Sequence, residues 1–158
     1  MDEKDMEQLG IVEKTEQAAR EHFRHGLNCT ECVVQGLLDT HDTGMPSEVL
    51  ALATGFGGGV GRTKNLCGAI SGAVMALGLV KGRRNPLAKE TPAERVRELG
   101  ELYPFFTDMV REIEAHYGTL VCSELSAPFG EFESKARRRN CQEMVGYCAA
   151  IAAKYAEK

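Results

Sequence analysis

The sequence has almost no strand signal: no alternating run of apolar and polar residues is bounded by hairpin turns. That argues against sheet-based folds, including the βαβ units of a thioredoxin fold. Long apolar runs are also missing. The longest spans residues 66–80, short of the roughly 20 residues a membrane helix needs. It is rich in Gly, Ala and Ser, which suits a buried helix. Net charge is −4, so no broad basic face is available for nucleic acid. The exception, Lys135-Ala136-Arg137-Arg138-Arg139, reads as a solvated stretch leading into a helix in preference to a phosphate or partner site. The N-terminal Met1-Asp2-Glu3-Lys4-Asp5 is acidic, the opposite of a secretory leader. A cytoplasmic protein is therefore expected. Its thiols would stay reduced there, so its six cysteines read as ligands, catalysts or core filler rather than structural disulfides.

What remains is helical. A length of 158 residues suits one domain with a core of its own. The expectation is an all-α, compact bundle of about five to seven helices. The first runs from about Asp5 to Arg24 and breaks near Gly26. The second starts at Asn28 and reaches about Leu38, and a short third opens at Pro46-Ser47. A glycine-rich loop, residues 55–65, precedes a fourth, small-residue helix over 66–80. Gly68, Ser71, Gly72 and Ala76 on that helix allow another backbone close, which places it at the bundle centre or at a subunit interface. Thr91-Pro92-Ala93-Glu94 opens a long helix, expected to bend or break at Pro104 and to end at Gly118. A short helical turn is expected over residues 122–125, a loop over 128–132, and a last helix from Asn140.

The cysteines carry the chemistry. Asn28-Cys29-Thr30-Glu31 and Asn140-Cys141-Gln142-Glu143 both match a capping box, with Asn as cap and cysteine in the first helical position. Cys67 follows the glycine loop and Asn65, at or near another helix start. Helix N-termini present unpaired N–H groups and partial positive charge, and both favour a thiolate. Cys29 and Cys32 form a CxxC, which suits a redox dithiol or half of a metal site. There is no second CxxC, so a zinc ribbon is not indicated. His22, His25, Cys29 and Cys32 can be drawn as a zinc site, although the break at Gly26 sits between them. The more ordinary reading is that these histidines are surface residues. His116, six residues before Cys122, is a possible auxiliary ligand. Cys148 lies in an apolar stretch and reads as core. The glycine loop lacks the spacing of a P-loop or a dinucleotide fingerprint. Gly57, Gly58, Gly59 and Gly61 either wall a cysteine-bound group, donating hydrogen bonds to its sulfurs, or form a tight turn between helices.

Taken together, these stretches resemble the redox-active family named for the cysteine pattern C_GCAxxG_C_C. The resemblance rests on Asn28-Cys29, Gly57-Gly58-Gly59-Val60-Gly61, Cys67-Gly68-Ala69-Ile70-Ser71-Gly72, the stretch from His116 to Leu125, and Cys141. The family name reads Gly-Cys-Ala where this chain reads Cys67-Gly68-Ala69. The resemblance implies a redox role. Such a domain is also similar to the iron–sulfur portion of split-Soret cytochromes, which are dimeric. That likeness implies a [2Fe–2S]-type cluster on Cys29, Cys67, Cys122 and Cys141, and a possible homodimer. No CxxCH haem motif is present. Three functions stay open: an iron–sulfur or metal protein for electron transfer or redox sensing with an unnamed partner protein; a metal-free dithiol oxidoreductase, in which Cys29 or Cys67 attacks and Cys32 or Cys122 resolves through a mixed disulfide; and a helical interaction module whose cysteines only pack. Zinc fits four thiolates as well as a cluster does.

Overall fold

A computed structural model describes residues 3–158, without the side chains of residues 5–9. Met1 and Asp2, the first residues of the acidic N-terminal stretch, lie outside the described residues. Six α-helices follow in chain order: α1 (Glu3–Arg24), α2 (Cys29–Thr40), α3 (Gly68–Lys81), α4 (Pro92–Tyr117), α5 (Cys122–Ser126) and α6 (Lys135–Ala156). Three 3₁₀ segments, Ser47–Phe56, Pro86–Ala88 and Ala127–Phe129, lie between them. Among the described residues there is no strand, only one isolated antiparallel bridge between Leu66 and Val121. The fold is all-α, as the periodicity predicts.

The core forms where α1, α2, α3 and α6 pack together. Small residues set the spacing. A Cβ on Gly36 of α2 would meet Ala19 Cβ of α1 at 3.1 Å, and one on Gly72 of α3 would meet Val33 Cβ of α2 at 2.8 Å. The helix that opens after the glycine loop, α3, is buried from Gly68 to Ala73 and again at Ala76 and Leu77. It occupies the centre of the bundle, and the cost of its glycines is offset by close packing. Leu37, Ile70, Leu77, Val145 and Cys148 fill the interior. Met109 and Ile113 are the residues that α4 buries completely.

Most helix boundaries fall where the capping residues put them. Asn28 caps α2 through a complete capping box. The Thr91 hydroxyl accepts from Glu94 N at the start of α4, and Gly118 ends that helix in the left-handed region. Three elements differ from the sequence expectation. The short third helix expected from Pro46-Ser47 is a 3₁₀ segment, Ser47–Phe56, with Pro46 as its cap. The helix α4 runs unbroken through Pro104, whose ring removes one N–H without ending it. The helix α6 begins at Lys135, not at Asn140. Its cap is Ser134, whose hydroxyl accepts from Arg137 N at 3.1 Å. The Asn140-to-Glu143 spacing imitates a capping box but sits in the second turn, and the Asn140 amide donates instead to Leu125 O at 3.4 Å. Cys141 is therefore not at a helix start.

Candidate redox centre

Each cysteine of interest is placed by a local device. The Asn28 side chain accepts from Glu31 N at 2.9 Å, and the Glu31 carboxylate accepts from Asn28 N at 3.0 Å. The same two residues hold the neighbouring 3₁₀ segment: Asn28 Nδ2 donates to Thr54 O, and Thr54 Oγ1 donates to the other oxygen of Glu31, both at 2.9 Å. Cys29, the first residue of α2, is thus fixed against the segment leading into the glycine loop.

That loop winds in an unusual sense. Gly58, Gly59, Val60, Gly61, Arg62 and Lys64 all have positive φ. For Val60 this conformation is sterically unfavourable and must be held by its surroundings. The N–H groups of Val60, Gly61, Arg62, Thr63, Lys64 and Asn65 all donate to carbonyls between Gly55 and Val60. They are spent within the loop. These six amides are committed to shaping the turn and are not free to bond a bound group.

The loop's exit builds the next part of the site. Cys122 N donates to Asn65 O at 2.6 Å, Ser123 N to Lys64 O at 3.1 Å, and Cys67 N to Leu120 O at 2.9 Å. Together with the Leu66–Val121 bridge, these bonds lash residues 64–67 to residues 120–123. Cys67, the residue capping α3, and Cys122, the first residue of α5, are thereby held side by side. Gly59, at φ +76°, makes this fit possible: a Cβ there would sit 2.7 Å from Cys122 Cβ and as close to Asn65 N. Gly68 does the same opposite. A Cβ on it would lie 2.3 Å from Cys29 Sγ and 2.8 Å from Thr30 Oγ1, and Thr30 Oγ1 donates to Gly68 O at 2.8 Å.

The result is a small cavity lined by Cys29, Cys67, Cys122 and Cys141, with Gly68, Ala69, Leu125, Ser126, Arg137, Asn140 and Met144. No carboxylate and no imidazole lines it. Among the described residues, no three His, Cys, Asp or Glu side chains close around a single ion. All six cysteines are free thiols. A second, open cleft borders the first, and Cys29 and Cys141 line both. The glycines predicted to wall the site divide between them: Gly57, Gly58 and Gly61 line the open cleft, while Gly59 packs on Cys122.

The electrostatics differ from the simple expectation of thiolates at helix ends. Burial pushes the Cys67 thiol up to about 12, outweighing the Ile70 and Ala69 amides that pull it down. The helix-start effect exists there, but desolvation is larger. Burial pushes Cys141 up to about 11, against the pull of the Arg137 guanidinium one turn earlier. Arg137 is the cation of the site. Its guanidinium stacks on the Phe132 ring, 3.6 Å from the centroid. It also donates to Ser126 Oγ at 3.4 Å and to Cys122 Sγ at 3.9 Å.

The remaining sequence candidates lie elsewhere. Cys32 is 0% exposed. It donates to Leu27 O at 3.5 Å, and burial pushes its thiol up to about 12. Cys148 is also 0% exposed and packs in the core. His116 stacks on Tyr147 with centroids 4.1 Å apart and lines neither cavity. His22 pairs with Asp39 at 2.5 Å and His25 with Glu21 at 3.3 Å, so a zinc site drawn from His22, His25, Cys29 and Cys32 does not form. Arg137, Phe132 and Met144 escaped sequence reasoning. The signal for Arg137 was its place four residues before Cys141, which counts only once α6 is known to start at Lys135, capped by Ser134.

Among the described residues no helix is long and apolar enough to cross a membrane. No curated protein and no solved structure matches the chain. A family model does match, described as "Putative redox-active protein (C_GCAxxG_C_C)", over residues 27–155. That span contains every residue of the cavity, and the chain belongs to this redox-active family.

Proposed function

We propose that Cys29, Cys67, Cys122 and Cys141 form the redox centre of this protein and hold an iron–sulfur cluster, for electron transfer or redox sensing. One observation carries the reading: four cysteines from four separate parts of the chain line a single cavity without a carboxylate or imidazole. An all-sulfur donor set is soft and selects iron–sulfur clusters, zinc or Cu(I) over hard cations. The chemistry of these donors therefore fits a cluster. The tetrahedral shell of one zinc, with sulfurs about 2.3 Å from the metal, fits less well, since no three side chains close on one point. A cluster's thiolates ligate different irons and ask less of any one point.

Burial supports the same reading. Thiols pushed up to about 11 and 12 at Cys141 and Cys67 stay protonated at neutral pH and are poor nucleophiles. A bound metal centre replaces those protons and offsets the desolvation of the thiolates. Cys67 is thereby a poor attacking thiol for a metal-free dithiol mechanism, and Cys32, pushed up to about 12 and fully buried, a poor resolving one. A bound cluster would supply one-electron chemistry. The chain's own contribution is to gather the four sulfurs, to bring the Arg137 charge against Cys122, and to close one side of the site with Leu125 and Met144.

The test is anaerobic purification followed by an absorption spectrum and analysis for iron, sulfide and zinc. Visible bands with stoichiometric iron and sulfide are expected. A colourless protein with one zinc would replace the cluster with a zinc site. A colourless protein without metal, which also takes up no iron and sulfide on reconstitution, would contradict the reading.

A further inference from the structure

The open cleft beside the cysteine cavity has a volume of about 850 Å³, within the range of small-molecule sites, about 300–1,000 Å³. Its charged lining is Arg62, Arg137 and Arg138 against one carboxylate, Glu133. Glu133 is already paired with Arg62. Arg137 and Arg138 have no carboxylate partner among the described residues. The whole chain is acidic, at −4, so this positive excess is local. A concave wall concentrates such a field.

The cleft is also shaped to admit a ligand. Gly55, Gly57, Gly58 and Gly61 form part of its wall, where bare backbone leaves room for close approach. Arg137 is held in advance by the Phe132 face and Ser126, so less conformational freedom is lost when it binds. A guanidinium fork matches both phosphate and carboxylate oxygens.

We propose that this cleft binds a small organic anion bearing a phosphate or carboxylate group, held by Arg137 and Arg138 next to Cys29 and Cys141. The inference goes beyond the redox centre. It rests on the cleft's charge and shape and stands whatever the cysteines hold. The Arg62–Glu133 pair acts as a competitor: it is exposed and weakly held, and Glu133 repels the ligand while occupying Arg62.

The experiment is titration calorimetry of the full chain with pyrophosphate and with citrate, at low salt, on protein as purified and on protein stripped of metal. At least one probe should bind at a single site at sub-millimolar concentration, in both preparations, and more weakly as salt is added. Binding of pyrophosphate alone identifies a phosphate ligand and of citrate alone a carboxylate ligand. Arg138→Gln, at an exposed position, should weaken binding on the order of tenfold. Glu133→Gln should strengthen it, a change of opposite sign that a general loss of structure would not give. Failure of both probes at millimolar concentration overturns the proposal, as does an affinity that neither variant changes. Because binding is read as heat on stripped protein too, it is scored separately from the presence of a cluster.

Discussion

Two helices of this protein each carry two cysteines, and in each helix the pair divides. On α6, Cys141 lines the cavity and Cys148, two turns on, is sealed in the core. On α2, Cys29 lines the cavity and Cys32, one turn on, is fully buried and does not. The chemistry of the side chain is the same in all four cases. What differs is the surroundings. Cys148 sits in the cluster that also contains Val145, Ile70 and Leu77, and there a thiol is a small apolar filler. The cavity cysteines face one another and Arg137. The comparison shows that a cysteine's role here is set by what the opposite element brings to it. The glycine loop, which carries no cysteine, is what brings Cys67 and Cys122 together.

The contrast can be broken first with alkali. In the metal-free chain Cys67 and Cys32 are held up to about 12 and Cys141 to about 11, from 9.0. Between these values the unfolded chain has lost thiol protons that the folded chain keeps, so stability falls as pH rises. The contribution is intact below about 9 and is lost toward 11 to 12. At about 1.4 kcal/mol per pH unit for each thiol, this is a large share of a typical stability of about 5–15 kcal/mol. Denaturant melts from pH 8 to 11 (about that range suffices) should show a steep decline for stripped protein. Loading the cavity should flatten the decline, leaving the part due to Cys32 and Cys148, whose thiols burial also holds up. Equal slopes in loaded and stripped protein would show that the cavity thiols are not the ones relieved.

Gly59→Ala should be the most damaging single change near the site, by about 2–4 kcal/mol, since it adds left-handed strain to overpacking against Cys122. Thermal melts of the stripped variant measure it, and a neutral outcome would mean that the loop is free to move away. Cys148→Ser comes next, at about 1–3 kcal/mol, from burying a hydroxyl in an apolar site. Cys141→Ser in stripped protein should cost less than about 1 kcal/mol. If the order of those two is reversed, the division between core and cavity cysteines is wrong. The smallest effect has the opposite sign: nothing lies within 4 Å of a Cβ added at Gly78 on α3, so Gly78→Ala should stabilise by about 0.5–1 kcal/mol.

How much of this could be read in the sequence depended on whether the signal was local. Capping is local, so the starts of α2 and α4 and the end at Gly118 were legible. So was the buried character of α3. The start of α6 was not, because Ser134 caps without a Glu in the matching position while Asn140 and Glu143 offer a better-looking motif in the wrong turn. The closure of the site was not legible either. Cys122 stands at the first position of a five-residue helix whose opening N–H groups donate to Asn65 O and Lys64 O, an arrangement made across a long separation in the chain. Desolvation is likewise a property of the packed state. The sequence placed cysteines at helix starts, but the pull of the Ala69 and Ile70 amides on Cys67 is outweighed once the residue is 8% exposed.

The most direct test of the four-and-two division is metal content measured cysteine by cysteine. Each of the six would be changed singly to serine, the protein purified without oxygen, and bound iron, sulfide and zinc determined against the parent. The account predicts that Cys29→Ser, Cys67→Ser, Cys122→Ser and Cys141→Ser each lose or weaken the bound centre, whereas Cys32→Ser and Cys148→Ser keep its stoichiometry even where they lower the melting temperature. A centre that survives all four cavity substitutions, or that is lost with Cys148→Ser in a chain that is still folded, would contradict it.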